Sequence, residues 1–319
     1  MASRCRRKDM TTSPEIVLDL IDAFRRSKTM FAAVELGIFD GARPSGCREL
    51  TRLLDACVSL GLLEKDGAEY RNTPVADQYL KSASPDTLSG YVRYSNQALY
   101  PMWAHLEDAV REGTHRWTQT FGVDGSLFSM FFREEESAKN FLLGMHGFGQ
   151  LTSGPVVAAF DLSRFRRFVD LGGATGHLAA AARARYPHLD AVTFDLPAVA
   201  RLFPHVTPGD FFTGPLPEAD LYALGRILHD WSEDKIRALL SRIFEALPPG
   251  GALLLAEKIL NEDKCGPVPA TMQSLNMLVV TEGRERTLSE YRALLEEAGF
   301  SSIQGHITGA PLDAILAVK

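Results

Sequence analysis

Apolar residues recur every three or four positions along the first part of the chain, which is typical of amphipathic helices. This pattern runs from Ser13 to Phe39, where Ser13-Pro14 supplies a cap and a first-turn proline, and again from Glu49 to Leu62. Asp66-Gly67 then separates two short strand-like runs, as in a β-hairpin. Two helices followed by a small hairpin predict a winged-helix-like domain over residues 1–90.

Aromatic residues are frequent in the next stretch, residues 91–152, which has a helical pattern. Gly113, Gly122 and Gly125 divide this stretch into pieces. Any single aromatic side chain here is best explained by core packing, but the set as a whole also suits the wall of an apolar pocket. We therefore predict a helical substrate-pocket segment, which begins a second domain spanning residues 91–319.

Short apolar runs alternate with helical segments from Phe168 onwards, which predicts a parallel α/β sheet with helices on both faces. The predicted strands are Phe168–Leu171, Ala191–Asp195, Ala219–Leu224 and Ala252–Ala256. A helix over Leu288–Ala298 precedes two further strand-like runs, Ile303–Ile307 and Ala314–Val318. These last two runs predict an antiparallel hairpin at the sheet edge, which is not a feature of the dehydrogenase nucleotide-binding fold.

Composition and charge disfavour several classes of protein. With 34 Lys and Arg against 40 Asp and Glu, the net charge of −6 has the wrong sign for a nucleic-acid-binding protein. No apolar run approaches the roughly 18 residues of a membrane span, and the basic start, Met1–Lys8, lacks the apolar core of a secretory signal. Cys5, Cys47, Cys57 and Cys265 lack metal-ligand spacing, so we expect reduced thiols in a cytoplasmic protein.

The strongest chemical signal is a strand that runs into a glycine-rich turn and a helix, Val169-Asp-Leu-Gly-Gly-Ala-Thr-Gly176. Glycines such as Gly172 let a ligand approach the backbone closely, and the next helix presents unpaired N–H groups. The dinucleotide fingerprint needs glycines where this chain has Ala174 and His177. Asp170 suits a cationic amino-acid moiety better than a pyrophosphate. For this motif alone, a purely structural turn is an equally good explanation.

Two further acidic positions strengthen the prediction of a nucleotide-like site. Asp195 ends the next strand about 20 residues after the last glycine, where an acid binds a ribose diol in nucleotide-binding sheets. Gly209-Asp210-Phe211 places an acid beside an aromatic ring, which suits the edge and face of an adenine, although Asp210 alone is as consistent with a solvated turn. Ligands of open α/β sheets bind at the carboxyl ends of the strands, where Asp170 and Asp195 both lie.

His229 is the candidate general base, because it follows the strand Ala219–Leu224 at its carboxyl end. An isolated histidine is more often structural, but this one lies on the same rim as the acids. A neutral imidazole at that rim can accept a proton from a substrate hydroxyl. Glu257 and Glu285 are placed to orient the other ring nitrogen, and either is equally consistent with a surface carboxylate.

Several motifs, in this order along the chain, resemble those of the S-adenosylmethionine-dependent small-molecule O-methyltransferases. They are Asp170–Gly176, Phe194–Pro197, Gly209–Phe212, Leu228–Trp231, Pro249–Gly251 and Gly283–Thr287. A second set is similar to the acetylserotonin (hydroxyindole) branch of that family and its methyltransferase-like paralogue: Val110–Gly113, Gln273–Leu278, Thr281–Gly283 and Asp313–Leu316. The resemblance spans nearly the whole chain.

The resemblance implies a Rossmann-like class I methyltransferase sheet and an N-terminal winged-helix-like domain that forms a homodimer and does not bind DNA. It implies that His229 is the base, with Glu257 and Glu285 as supporting carboxylates. S-Adenosylmethionine would be held by Asp170, Gly172, Asp195, Gly209, Asp210, Phe211 and Arg226. A small aromatic hydroxyl compound would be held by Asp230, Met272, Asn276 and Met277. No metal and no membrane are implied.

The chain also departs from the family pattern. Ala174 replaces a glycine of the turn, which is tolerable if its φ angle is negative, and Val280 occupies a position that is often polar in acetylserotonin enzymes. Residues 41–48 and 199–208 are short for the elements they must supply. These departures keep a second hypothesis open, namely a homodimerisation protein that binds the cofactor with little or no catalysis.

A third hypothesis is a winged-helix transcription regulator. It requires a basic recognition helix. In the second predicted helix, Arg48 and Arg52 are offset by Glu49 and Asp55, so this hypothesis is disfavoured.

Overall fold

The computed structural model describes residues 13–42, 45, 48–125, 127–132 and 134–319. It confirms the predicted α/β architecture, with a mostly parallel seven-stranded sheet that follows an N-terminal helical region with its own two-stranded sheet. The basic tail, Cys47 and part of the short segment 41–48 lie outside the described residues. Within them, none of the helices has both the length and the apolar character needed to cross a membrane.

The N-terminal region contains the two predicted helices and the predicted hairpin. Helix α1 (Glu15–Glu35) packs on α2 (Leu50–Ser59), and strands β1 (Leu63–Asp66) and β2 (Glu69–Asn72) pair antiparallel. Helix α3 (Pro74–Tyr79) follows. A small core joins these elements and includes Ala33, Val34, Ile38, Phe39, Leu54, Cys57, Leu63, Ala76 and Leu80. Because α1 contributes only its C-terminal part to this core, its N-terminal part stays exposed.

A layer of helices, most of them short, corresponds to the aromatic-rich segment. Its members are α4 (Ser89–Tyr94), α5 (Tyr100–Trp103), α6 (Leu106–Glu112), α7 (Trp117–Phe121), α8 (Leu127–Phe131) and α9 (Glu135–Ala158), with a π-helical turn at Ser95–Leu99. Gly113 and Gly122 end α6 and α7 with φ angles of 69° and 66°, a left-handed conformation that glycine adopts without strain. The predicted division of this segment at glycines is confirmed.

The large sheet is built from seven strands: β3 (Arg167–Leu171), β4 (Asp190–Asp195), β5 (Thr207–Pro208), β6 (Leu221–Gly225), β7 (Ala252–Glu257), β8 (Ser301–His306) and β9 (Asp313–Val318). Their spatial order is β5-β4-β3-β6-β7-β9-β8. Strands β3 to β7 pair in parallel, whereas β9 pairs antiparallel with both β7 and β8. The predicted terminal hairpin therefore lies at the sheet edge, with its second strand next to β7.

Both faces of the sheet are buried, as the continuous apolar runs predict. Side chains alternate between the two faces along a strand. In β3, Val169 and Leu171 pack into the core on one face, and Phe168 packs into the core on the other. The connecting helices are α10 (His177–Arg185), α11 (Pro197–Leu202), α12 (Glu233–Ala246), α13 (Val268–Val280) and α14 (Leu288–Glu297). The short segment 199–208 still supplies the end of α11 and the two residues of β5.

Asp313 connects the terminal antiparallel strand to the parallel part of the sheet. Its buried carboxylate accepts a hydrogen bond from the Ile259 backbone N–H (3.1 Å) and another from the Thr308 N–H (3.2 Å). The Nζ atom of Lys258 lies 3.1 Å from the same carboxylate. One side chain thus satisfies two backbone donors and a nearly buried cation between β7 and β9.

We predict that Asp313→Ala lowers the free energy of unfolding by about 3 kcal/mol, because it leaves two backbone N–H groups without an acceptor and removes the charge partner of the nearly buried Lys258. Asp313→Asn should cost less, since it keeps one acceptor oxygen. Chemical denaturation measures both variants. Glu69→Ala, which removes an exposed partner of Arg71, is the control and should change stability by less than about 0.5 kcal/mol. Equal small effects at the two positions would contradict the role of Asp313.

Candidate active site

A cavity of about 560 Å³ lies where the carboxyl ends of β3, β4, β6 and β7 meet the helical layer. Its volume is in the usual range for a small-molecule site. Aromatic side chains of the helical layer form an apolar wall: Tyr91, Tyr94, Phe128, Phe131, Phe132, Phe141 and Phe148. Trp117 is fully buried elsewhere in the core, so the aromatic segment contributes both to packing and to the cavity.

The glycine-rich turn lies at one end of this cavity, between β3 and α10. Gly172 lines the cavity with a φ angle of 71°, and Gly176 precedes α10 with a φ angle of 81°. Asp170 lies behind the turn rather than in the cavity wall, and its Oδ2 has no hydrogen-bond partner among the described residues. Burial raises the pKa of Asp170 to about 7. A Cβ atom at Gly173 would overlap this carboxylate, so the turn needs glycine there.

Ala174 adopts a φ angle of 50° in this turn. Alanine was expected to be tolerable here with a negative φ, and that condition is not met. A left-handed conformation costs a non-glycine residue roughly 1–2 kcal/mol, because Cβ crowds the neighbouring carbonyl. The Ala174 N–H donates a hydrogen bond of 2.8 Å to Asp195 Oδ2, which helps to hold the strained residue in place.

The other predicted nucleoside residues also line the cavity. Asp195 accepts hydrogen bonds from Ala174 and Leu196, and burial raises its pKa to about 6. Gly209, Asp210 and Phe211 follow β5 and line the cavity near Asp195. Each oxygen of Asp195 has a second lone pair, so the carboxylate can still accept ligand hydroxyls.

His229 lies in a short 3₁₀ turn after β6 and lines the cavity, although its side chain is almost wholly buried. Its Nδ1 lies 2.6 Å from Glu285 Oε1 and 3.4 Å from Glu257 Oε2. Its Nε2 lies 3.7 Å from Asp230 Oδ1, beyond hydrogen-bond distance. Glu285 thus occupies Nδ1, with Glu257 close beside it, which leaves Nε2 available to a ligand.

Glu257 and Glu285 are buried, which excludes their alternative interpretation as surface carboxylates. Burial raises the pKa of Glu285 to about 8 and that of Glu257 to about 7. Glu257 Oε1 also accepts hydrogen bonds from the backbone N–H groups of Ile227 (3.1 Å) and Leu228 (2.8 Å). These bonds fix the turn that carries His229.

Gly283 allows the segment with Glu285 to reach this turn. A Cβ atom at Gly283 would overlap the carbonyl oxygen of His229. Arg286, which is buried, donates from Nη1 to the Leu228 carbonyl (3.2 Å) and from Nη2 to Glu233 (2.8 Å). Arg286 was not predicted as a site residue, although it lies inside the Gly283–Thr287 motif.

The predicted substrate residues separate into two groups. Asp230, Asn276 and Met277 line the cavity, but Met272 is 48% exposed and does not. The indole N–H of Trp103 donates to Asn276 Oδ1 (2.8 Å). The side-chain nitrogen of Asn276, Nδ2, is therefore left to donate to a ligand. No sequence signal indicated Trp103, because 173 positions separate the two residues.

Burial raises the pKa of Asp230 to about 6. Val280 adds an apolar surface to the cavity.

Arg226 also lines the cavity, with a positive φ angle of 58° and its guanidinium 4.6 Å above the ring of Phe148. Its Nη1 is buried without a hydrogen-bond partner among the described residues. A buried, unpaired donor beside the glycine turn indicates a site for an anionic ligand group.

His229, Glu257 and Glu285 also form the one group of metal-ligating side chains identified within the described part of the chain, with ligand atoms within 4.8 Å of one another. Both glutamates lie close to the same nitrogen of His229, and Glu285 Oε1 is at hydrogen-bond distance from it. The expectation that no metal is needed stays a prediction.

Comparison with known proteins places this site in a family. A family model described as an O-methyltransferase domain matches residues 103–301, and one described as an O-methyltransferase dimerisation domain matches residues 42–82. Acetylserotonin O-methyltransferase from Gallus gallus is 40% identical, with coverage of 96% of this chain and 97% of that protein. The human N-acetylserotonin methyltransferase structure in complex with SAM has a TM-score of 0.92 at 38% identity, covering 98% of this chain and 99% of that one.

A human protein described as a probable bifunctional dTTP/UTP pyrophosphatase/methyltransferase is also 40% identical, over 98% of this chain. The chain spans 55% of the length of that relative. The fold and the site define a class I methyltransferase. The chain belongs to the O-methyltransferase family and is an S-adenosylmethionine-dependent enzyme similar to the acetylserotonin O-methyltransferases. The hypothesis of a cofactor-binding protein without catalysis is not favoured.

We predict that Ala174→Gly raises the free energy of unfolding by up to about 1 kcal/mol, because glycine relieves the strain at positive φ. Ala180→Gly is the matched control. Ala180 is exposed within α10, where glycine should instead cost about 1 kcal/mol. Thermal unfolding of both variants measures whether stability rises in the first and falls in the second. A loss of stability at both positions would contradict the assignment of strain to Ala174.

Proposed function

We propose that this enzyme methylates a hydroxyl group on a small aromatic acceptor, a hydroxyindole or a phenol, with His229 as the general base. The observation that carries the proposal is the pairing of His229 Nδ1 with Glu285 at 2.6 Å, which leaves Nε2 at a cavity walled by aromatic rings. An apolar, aromatic wall favours a flat aromatic acceptor over a charged or highly polar one.

The residues at the carboxyl edge fit S-adenosylmethionine laid across the strand ends. Asp195, at the end of β4, would take the ribose hydroxyls, and Gly209, Asp210 and Phe211 would border the adenine. Gly172, after β3, and Arg226, after β6, would hold the amino-acid end. The fit is supported by the unpaired Nη1 of Arg226, which a carboxylate would satisfy.

Asp170 acts indirectly in this arrangement, because it lies behind the turn. In the acceptor half of the cavity, the Asn276 amide group would donate to the acceptor, and Asp230 would lie beside the reacting hydroxyl. Met277 and Val280 would contact its apolar surface. Met272 is a poor candidate for acceptor contact in a single copy of the chain, since it is exposed outside the cavity.

Catalysis then requires alignment and one proton transfer. The bound cofactor supplies a methyl group on a sulfonium, which passes to the acceptor oxygen and leaves a thioether. His229 Nε2 takes the proton of the acceptor hydroxyl while Nδ1–H stays hydrogen-bonded to Glu285, which orients the ring. Glu257, 3.4 Å from Nδ1, helps to stabilise the imidazolium electrostatically. With the cofactor bound, the aromatic wall would exclude water and hold the acceptor oxygen in line with the methyl group that it receives.

We predict that His229→Gln reduces methyl transfer to a hydroxyindole or phenol by about 100-fold or more, because the general base is lost. Binding of S-adenosylhomocysteine, measured by calorimetry, should be unchanged. The control is His188→Gln, which alters an exposed histidine far from the cavity. Turnover retained by His229→Gln would show that another group removes the proton. Turnover of aliphatic alcohols alone would contradict the aromatic acceptor.

We also propose that the enzyme is a homodimer in which α1 lies against a second copy of the chain. The N-terminal part of α1 exposes a row of large apolar side chains: Ile16, Val17, Leu20, Ile21 and Phe24. Each is 44% to 67% exposed in the single chain, and a row this apolar is typical of a protein interface. The helix packs on α2, which lies in the segment matched by the dimerisation domain, so the two surfaces are continuous.

We predict that Leu20→Glu combined with Phe24→Glu converts the dimer to a monomer, because two charges would be buried at the interface. Analytical ultracentrifugation measures the change. Asp22→Asn, on the polar side of the same helix, should leave the dimer intact. A wild-type monomer at micromolar concentration, or a dimer that survives both glutamates, would contradict this interface.

A further inference from the structure

A second histidine, which is half-buried, lies beside the glycine turn, and neither the fold nor the proton transfer requires it. His177 is the first residue of α10 and lines the cavity together with Gly172 and Arg226. Burial, with the nearby His146 and Arg226, lowers the pKa of His177 to about 4. The imidazole is therefore neutral at physiological pH and has one N–H donor and one nitrogen acceptor.

Ser153 determines which ring nitrogen of His177 carries the proton. The Ser153 hydroxyl donates to the Gly149 carbonyl (2.8 Å), and its oxygen also lies 2.8 Å from His177 Nδ1. A hydroxyl has a single proton, so with that proton on the Gly149 carbonyl Ser153 accepts the second bond and His177 Nδ1 is the donor. Nε2 is then the acceptor, on the side of the ring away from Ser153.

Gly149 provides the space for the ring. It lies inside helix α9, where the φ angle is ordinary and alanine would normally be preferred. A Cβ atom at Gly149 would overlap the Cγ, Cδ2 and Nε2 atoms of His177. A residue without a side chain therefore allows an imidazole to occupy this part of the cavity wall.

We propose that His177 Nε2 accepts a hydrogen bond from the α-ammonium group of S-adenosylmethionine, next to the carboxylate held by Arg226. This inference rests on the cofactor placement proposed above. With the nucleoside at the ends of β4 and β5, the amino-acid end reaches β3 and β6, where His177 and Arg226 lie. The α-ammonium group of the ligand would donate to the neutral Nε2 of His177, and the ligand carboxylate would accept from the guanidinium of Arg226.

The test compares two ligands by calorimetry: S-adenosylhomocysteine and its deamino analogue, which keeps the carboxylate and lacks only the α-amino group. The wild-type protein should bind S-adenosylhomocysteine roughly 10- to 100-fold more tightly, as expected for one charge-assisted hydrogen bond. His177→Ala should lose that preference and bind the deamino analogue as the wild type does. Preference retained by His177→Ala would overturn the inference.

Gly149→Ala gives an independent readout by displacing the ring. It should weaken S-adenosylhomocysteine binding and lower Tm in the wild-type background, but raise Tm in the His177→Ala background, where nothing opposes the better helix former. Gly154→Ala, in the same helix with open space around it but directly before Pro155, is the control and should change Tm by the same amount in both backgrounds. If Gly149→Ala raises Tm in both backgrounds, the ring does not occupy this space, and the inference fails.

The outcomes also separate this inference from the proposal on which it rests. If folded wild-type protein binds neither ligand, the cofactor placement fails, and this inference fails with it. If S-adenosylhomocysteine binds and Arg226→Ala weakens both ligands equally while His177→Ala keeps the wild-type preference, the placement holds and only the role of His177 is overturned.

Discussion

The site depends on one buried carboxylate, that of Glu257, which connects the end of β7 to the turn after β6. It accepts hydrogen bonds from the backbone N–H groups of Ile227 and Leu228. Its other oxygen lies 3.4 Å from Nδ1 of His229. The parallel register places Gly225 opposite Ala256, so the strand ends deliver these groups to the same point. An ionisable group in an apolar interior is tolerated only where such partners surround it. The position of the histidine is therefore fixed by the sheet rather than by its own loop.

Small residues determine how closely the other segments approach that point. Gly283 lets the segment of Glu285 touch the His229 turn, and Gly173 leaves room for the Asp170 carboxylate. Ala174 and Arg226, by contrast, have side chains and still adopt a positive φ, a conformation that favours glycine. Both positions border the cavity, and strain of this kind persists where the surrounding contacts hold it, which is characteristic of ligand sites.

The cavity joins two environments that methyl transfer needs together. The strand ends bring polar and ionisable groups such as Asp195 and Arg226 to one side, and the helical layer brings aromatic rings to the other. Burial on the strand side raises the pKa values of Asp195 and Asp230 to about 6, so these carboxyls respond strongly to a bound cation. A charged cofactor and an apolar acceptor can thus meet without either entering an unsuitable environment.

Hydrophobic periodicity by itself determined most of the fold: the four predicted parallel strands lie within two residues of their predicted bounds. Helix α13 was not predicted, because it is apolar on nearly all sides and lacks the stripe of a surface helix. The carboxyl ends of parallel strands, which converge, indicated His229 and Glu257, and the motif Gly283–Thr287 indicated Glu285. Only the tertiary structure decided that both glutamates are buried, that Trp103 orients Asn276, that Met272 lies outside the cavity and that Ala174 has a positive φ. Those outcomes depend on contacts between residues far apart in the chain and on backbone angles, neither of which local sequence patterns encode.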